Sequence, residues 1–97
     1  MLYKPEDLLD KLGDAFYYDW FWTDKVEFPC TVYEMDEMSN KKIAKYVVTE
    51  EDFWNALMKY AERPGEMRSI AELLEDTDAA DDDAILQLAA FGEIRYG

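Results

Sequence analysis

The sequence predicts a small α+β domain in which three to four helices pack on an antiparallel β-hairpin or three-stranded sheet, in the order α-β-β-α-α-α. Three observations carry that prediction. Apolar residues recur at three- and four-residue spacing in four separate stretches, as in amphipathic helices. Two stretches between the first and second of these alternate apolar and polar residues instead, as strands do. Finally, 49 % of the 97 residues are hydrophobic and 15 % aromatic, so a core can form despite a formal net charge of −13. The length, with no internal repeat or linker, fits one acidic domain spanning residues 1–97.

The first helix starts at Pro5, whose fixed φ and missing N–H suit a first-turn position, with Glu6 and Asp7 where the helix dipole favours anions. Leu8, Leu9, Leu12, Phe16 and Trp20 continue the stripe, and Gly13 weakens it without ending it. The stripe runs into Phe16-Tyr17-Tyr18-Asp19-Trp20-Phe21-Trp22, six aromatic residues in seven. One helical stripe cannot bury them all, so either the helix ends near Trp22 or some rings stay at the surface. Val26, Phe28, Cys30 and Val32 then fall on one face of a strand, with Glu27, Pro29, Thr31 and Tyr33 on the other. Pro29 has no N–H to give a ladder, which marks this strand as an edge or a bulged one.

Asp36 to Asn40 form a turn, and Lys41 to Val48 return as the second strand, with Ile43, Lys45 and Val47 opposite in face to Ala44, Tyr46 and Val48. Thr49 caps a helix whose first turn holds Glu50, Glu51 and Asp52 and whose apolar face is Phe53, Trp54, Leu57, Met58 and Ala61. Arg63-Pro64-Gly65 stops it. Ser69 and Glu72 make a capping box for a short helix that turns Ile70, Leu73 and Leu74 inward. The last helix starts near Asp78, carries Ile85, Leu88, Ala89 and Phe91, and ends at Gly92. Ile94 and Tyr96 alternate beyond it and are candidates for a third strand.

The charge is uneven. Residues 1–40 hold ten acids and three bases, residues 41–61 three and four, and residues 62–97 ten and three. The densest run is Glu72, Glu75, Asp76, Asp78, Asp81, Asp82 and Asp83, seven carboxylates in twelve residues with no Lys or Arg among them. Asp78 and the acids after it lie at a helix N-terminus, where one or two carboxylates stabilise the dipole by about 0.3–1 kcal/mol each. The remainder repel one another, which leaves a solvated acidic face or a partner-binding acidic face as the readings. Asp14, Asp19, Asp24 and Glu27 interleave with the aromatic run, and Glu34, Asp36 and Glu37 cluster at the hairpin turn. Carboxylates on adjacent helix turns stand roughly 5–6 Å apart, and those on one strand face about 6.8 Å apart. Duplex DNA carries a charge every 1.7 Å or so of its axis. A folded acidic surface therefore approaches a polynucleotide in charge density and attracts the same basic grooves. Tyr17, Tyr18 and Trp22, beside Asp14, Asp19 and Asp24, suit an arginine-binding surface, since a guanidinium pairs with a carboxylate and stacks on a ring.

Several function classes are excluded or disfavoured. With no His and one Cys there is neither a His-based general base nor a zinc signature. The four glycines, Gly13, Gly65, Gly92 and Gly97, are too dispersed to cradle phosphate. Asp76 to Asp81 lack the Gly, the third alternating ligand and the closing Glu of an EF-hand loop, which leaves only a weak divalent-cation site as a minor alternative. Cys30 is the lone thiol, expected to be buried, and excludes an intramolecular disulfide. The start of the chain has no basic region followed by an apolar stretch, and no run approaches the roughly 20 apolar residues of a membrane span. The expectation is a cytoplasmic, non-enzymatic protein with no cofactor or metal. It contacts neither membrane nor nucleic acid directly, and its partner is a basic protein.

In its small size, its −13 charge, the Glu72 to Asp83 run and the acid–aromatic run Asp14 to Asp24, the chain resembles the small acidic inhibitors carried by phages and mobile elements, the nucleic-acid mimics of the anti-restriction and anti-CRISPR classes. The likeness is one of character along the whole chain, with no motif, so no residue role transfers. It implies a stoichiometric inhibitor, in the cytoplasm of a bacterial host, that occupies the nucleic-acid groove of a defence nuclease or CRISPR–Cas effector. The rival expectation is a general acidic interaction module or regulator.

Overall fold

A computed structural model describes residues 5–96 as α1 (Pro5–Asp14), β1 (Phe21–Trp22), β2 (Cys30–Met35), β3 (Lys42–Val48), α2 (Glu50–Glu62), α3 (Ile70–Glu75) and α4 (Ala79–Phe91). The three strands form one antiparallel sheet in the order β1-β2-β3. The α+β class holds. The element order gains a strand, becoming α-β-β-β-α-α-α.

Two expectations change at the aromatic run. The first helix ends at Asp14 rather than near Trp22. The chain tightens there, with the Ala15 N–H reaching the carbonyls of Lys11 and Leu12, and Phe16 and Tyr17 bonding three residues back to Gly13 and Asp14. It then extends, which lets Phe21 point into the core and Trp22 point out, as consecutive strand residues must. The third strand is therefore this pair, and not Ile94–Tyr96. Phe21 pairs with Glu34 and Trp22 with Tyr33.

The hairpin strands differ from expectation in their bounds, the first ending at Met35 and the second starting at Lys42 rather than Lys41. The first starts at Cys30, not Val26, so Pro29 stands before it, and the strand is central rather than an edge. Cys30, Val32 and Glu34 face inward, opposite Val48, Tyr46 and Ala44. A bulge follows: Glu34 pairs with Ala44 but Met35 with Lys42, which leaves Ile43 as the extra residue.

All three later helices start with capping boxes: Thr49 with Asp52, Ser69 with Glu72, and Asp78 with Asp81. Gly92 closes α4 at φ 79°, a left-handed position open to glycine at little cost. α4 packs against α1, α2 and β3. The core joins Leu8, Leu12 and Ala15 of the first helical region to Phe21, Val32, Val48, Phe53, Leu57, Tyr60, Leu73, Ile85 and Leu86. In α2 the fully buried stripe is Phe53, Ala56, Leu57 and Tyr60, with Trp54, Met58 and Ala61 at its margin. Among the described residues no helix is long and apolar enough to cross a membrane.

Candidate functional site

The acidic run 72–83 divides once folded. Asp82 and Asp83 lie on the buried side of α4, only 2 % and 3 % exposed. The Asp82 carboxylate takes the ammonium of Lys11 at 3.2 Å and the Thr77 hydroxyl at 2.9 Å, and Lys11 also bonds Thr77. Burial raises the Asp82 pKa, with Lys11 opposing and nearby Asp14 adding to the rise. The Asp83 carboxylate accepts the Trp20 indole N–H at 2.6 Å and the Gln87 amide at 2.8 Å. Neither donor is charged, so burial dominates and its pKa also rises.

Asp81 is half-buried. Arg68 grips it with both terminal nitrogens, at 2.9 and 3.0 Å, and the Tyr60 hydroxyl donates to it at 2.5 Å. The same guanidinium holds Glu66 at 2.9 Å, and Arg63 reaches Glu66 at 3.3 Å while lying 3.9 Å over the Tyr60 ring. Arg68 draws the Glu66 carboxyl down to about 2 and lowers that of Asp81 as well. Burial, with Asp81 close by, pushes the Tyr60 phenol up to about 12. Glu72 and Asp78 serve as box and cap residues but remain exposed, and Glu75 and Asp76 are exposed without an ion pair among the described residues.

Packing brings the two acidic thirds of the sequence together. α1 lies against α3 and α4, and Lys11 is bolted to Thr77 and Asp82. Exposed Asp14 of α1, close enough to raise the Asp82 pKa, therefore stands beside the α3–α4 junction with its exposed Glu75, Asp76 and Asp78, and Asp10 is exposed on the same helix. The one lysine of α1 is only 4 % exposed and is already neutralised.

The aromatic run is drawn out into a ladder. Tyr18 stacks on Trp20 with ring centroids 4.7 Å apart and planes 3° from parallel, and Trp20 stacks with Tyr96 at 5.3 Å. Tyr17 and Tyr18 meet in a T-shaped contact with ring centroids 5.2 Å apart, and Tyr17 is 75 % exposed. Trp20 is fixed twice, by its indole on Asp83 and by its carbonyl, which accepts the Met35 N–H at 2.9 Å. Gln87, fully buried, holds Tyr96 in place: its carbonyl takes the N–H groups of Arg95 and Tyr96 at 2.7 and 2.8 Å. The Tyr96 hydroxyl in turn bonds buried Glu34, which also accepts from Tyr46. That hydrogen bond, with burial, takes the Tyr96 phenol up to about 12. Glu34 thus belongs to the interior and not to the hairpin turn.

An open cleft of about 480 Å³ lies along this ladder, lined by Tyr17, Tyr18, Asp19, Trp20, Glu37 and Asn40. Asp36 organises the hairpin loop that supplies Glu37, accepting the Met38 N–H at 3.1 Å and the Ser39 hydroxyl at 2.8 Å. Trp22 and Asp24 fall elsewhere. Trp22 sits on the outer sheet face with Tyr33, where the Lys42 ammonium covers both rings at 4.6 and 4.0 Å, and Asp24 is exposed in the loop before β2. Of the residues singled out from sequence, Tyr17, Tyr18 and Asp19 meet at this cleft. Trp20, Glu37 and Asn40 complete it, joined by a fold contact that spacing alone does not reveal.

Among the described residues no group of three or more Cys, Asp or Glu side chains converges as metal ligands do. The chain matches no protein-family model, no curated protein and no solved structure.

Proposed function

We propose that this protein is a non-enzymatic acidic inhibitor that binds the basic nucleic-acid surface of a bacterial defence nuclease or CRISPR–Cas effector and keeps DNA or RNA out. One observation carries the reading. Among the described residues, the cation of α1 and the one just before α3 are used internally, Lys11 by Asp82 and Arg68 by Glu66 and Asp81. The carboxylates left outside on α1 and at the α3–α4 junction, Asp10, Asp14, Glu75 and Asp76, have no ion pair among the described residues. A surface so depleted of positive charge attracts a Lys/Arg-lined groove and repels phosphate and anionic lipid.

The test is capture of the partner on the full chain from a bacterial lysate, followed by measurement of that partner's nucleic-acid binding in the complex. The expected result is loss of nucleic-acid binding, with an affinity for the inhibitor that falls steeply as salt rises. A partner that still binds nucleic acid fully while held overturns groove occlusion. The charge reversal to use is Asp10→Lys, Asp14→Lys, Glu75→Lys and Asp76→Lys together. Reversal at Asp81, Asp82 and Asp83 is uninformative, because those three carboxylates are part of the interior bonding of the fold. Salt-tolerant capture without nucleic-acid competition would favour a general interaction module that grips through its aromatic side chains.

A further inference from the structure

The cleft of Tyr17, Tyr18, Asp19, Trp20, Glu37 and Asn40 differs from the rest of the acidic surface. Elsewhere the protein lays its own cations on its aromatic rings: Lys42 on Trp22 and Tyr33, Arg63 on Tyr60 at 3.9 Å, and Arg95 on Phe91 at 4.3 Å. Among the described residues no Lys or Arg lies over Tyr17, Tyr18 or Trp20, and none lines the cleft. The two carboxylates there, Asp19 and Glu37, are exposed and take part in no ion pair among the described residues. The site thus has rings, negative charge and open volume, and lacks the cation that a ring and a carboxylate hold together at two other places in the molecule, Arg63 with Tyr60 and Glu66 and Arg95 with Phe91 and Glu93.

We infer that this cleft receives one arginine side chain of a protein partner, its guanidinium lying against the Tyr17 and Tyr18 rings and pairing with Asp19 or Glu37. The inference rests on the reading above in taking the partner to be a basic protein. Arginine suits the site better than lysine. Its planar, weakly hydrated head stacks on a ring while its edge pairs with a carboxylate, whereas an ammonium is a strongly hydrated point charge. A nucleobase would also stack, but it brings a phosphate toward two carboxylates. The cleft is preformed, because Trp20 is tied to Asp83 and to β2 and Glu37 stands on a hairpin loop closed by Asp36. Less ordering then opposes binding.

The experiment titrates the full chain with a peptide of sequence Gly-Gly-Arg-Gly-Gly, blocked at both ends, and with its lysine and citrulline counterparts. It follows the NMR signals of Tyr17, Tyr18, the Trp20 indole and the Asn40 side-chain amide. The arginine peptide is expected to shift these signals saturably. The uncharged citrulline peptide should fail to do so at tenfold higher concentration. Glu37→Gln and Tyr17→Ala, both exposed and outside the core, should each weaken binding about three- to fivefold without moving the thermal midpoint. Shifts centred on Glu75 and Asp76 and indifferent to both variants overturn the assignment. So does equal binding of the lysine peptide, or saturable binding of a mononucleotide at the same signals. The inhibitor reading fails separately, through retained nucleic-acid binding by the captured partner, and that outcome leaves the peptide result standing.

Discussion

Asp82 is held by a buried ammonium, Asp83 by two neutral donors, and Asp81 by a guanidinium at the half-exposed start of α4. These surroundings set different costs for losing each charge. Asp82→Asn removes the charge that faces buried Lys11 but also the burial cost that raises the Asp82 pKa, and its Oδ1 can still take the Lys11 and Thr77 bonds, so the loss should be about 1 kcal/mol or less. Asp83→Asn turns an amide N–H₂ toward the Trp20 indole or the Gln87 amide. Gln87 cannot rotate to accept it, because its carbonyl already serves the N–H groups of Arg95 and Tyr96, so about 1–3 kcal/mol should be lost. Glu75→Gln and Asp76→Asn, on the exposed side, should stay within about 0.5 kcal/mol. Urea unfolding of the four variants checks the ranking, and equal midpoints would show these carboxylates to be interchangeable. Part of this pattern is legible in the sequence: Asp82, Ile85, Leu86 and Ala89 share a three- and four-residue phase, which sets Asp82 on the apolar stripe of α4. The rest is not, because the bonds of Asp83 run to Trp20 and those of Asp81 to Arg68, and such pairings depend on how elements dock.

Among the elements, α3 is the most exposed to a single change. A six-residue helix is far below the length at which helices hold alone. It depends on the Ser69–Glu72 box and on Leu73, its one buried residue. Ser69→Ala should lower stability by about 1 kcal/mol and speed amide exchange in residues 70–75 before it does so elsewhere. Exchange that rises evenly through the fold instead would show that α3 does not open as a unit. The capped helices and the 42–48 strand were readable because caps and alternation are local signals. β1 was not, since two residues have no period and the pairing of Phe21 with Glu34 is set by β2. The alternation of Ile94 and Tyr96 misleads for a related reason: the Tyr96 N–H that a strand would pair is taken by the Gln87 side chain. The cleft inherits this difficulty, because Asp19 and Glu37 meet only after β1 has paired.

For the molecule as a whole, acidity acts in two directions. The pKa values of Asp82 and Asp83 are raised by burial, so the native state binds protons that the unfolded chain does not, and stability rises as pH falls through that interval. Relief of the −13 self-repulsion works the same way. Glu66 and Asp81, lowered by Arg68, support the fold fully above the ordinary carboxylate range and lose that support as pH falls toward their depressed values. The thermal midpoint in low salt should therefore climb from pH 8 to about pH 5 and drop below about pH 4. A midpoint that falls steadily from pH 8 to 5 would mean that repulsion and buried carboxylates contribute nothing. The bonds that close the fold span most of its length: Lys11 to Asp82 across 71 positions, Trp20 to Asp83 across 63, and Glu34 to Tyr96 across 62. On a ribosome, the first half of this chain emerges with its buried ammonium, indole and carboxylate still waiting for partners. Only when α4 and the residues after it are made can all three be matched, so the protein completes itself late, from its end backwards.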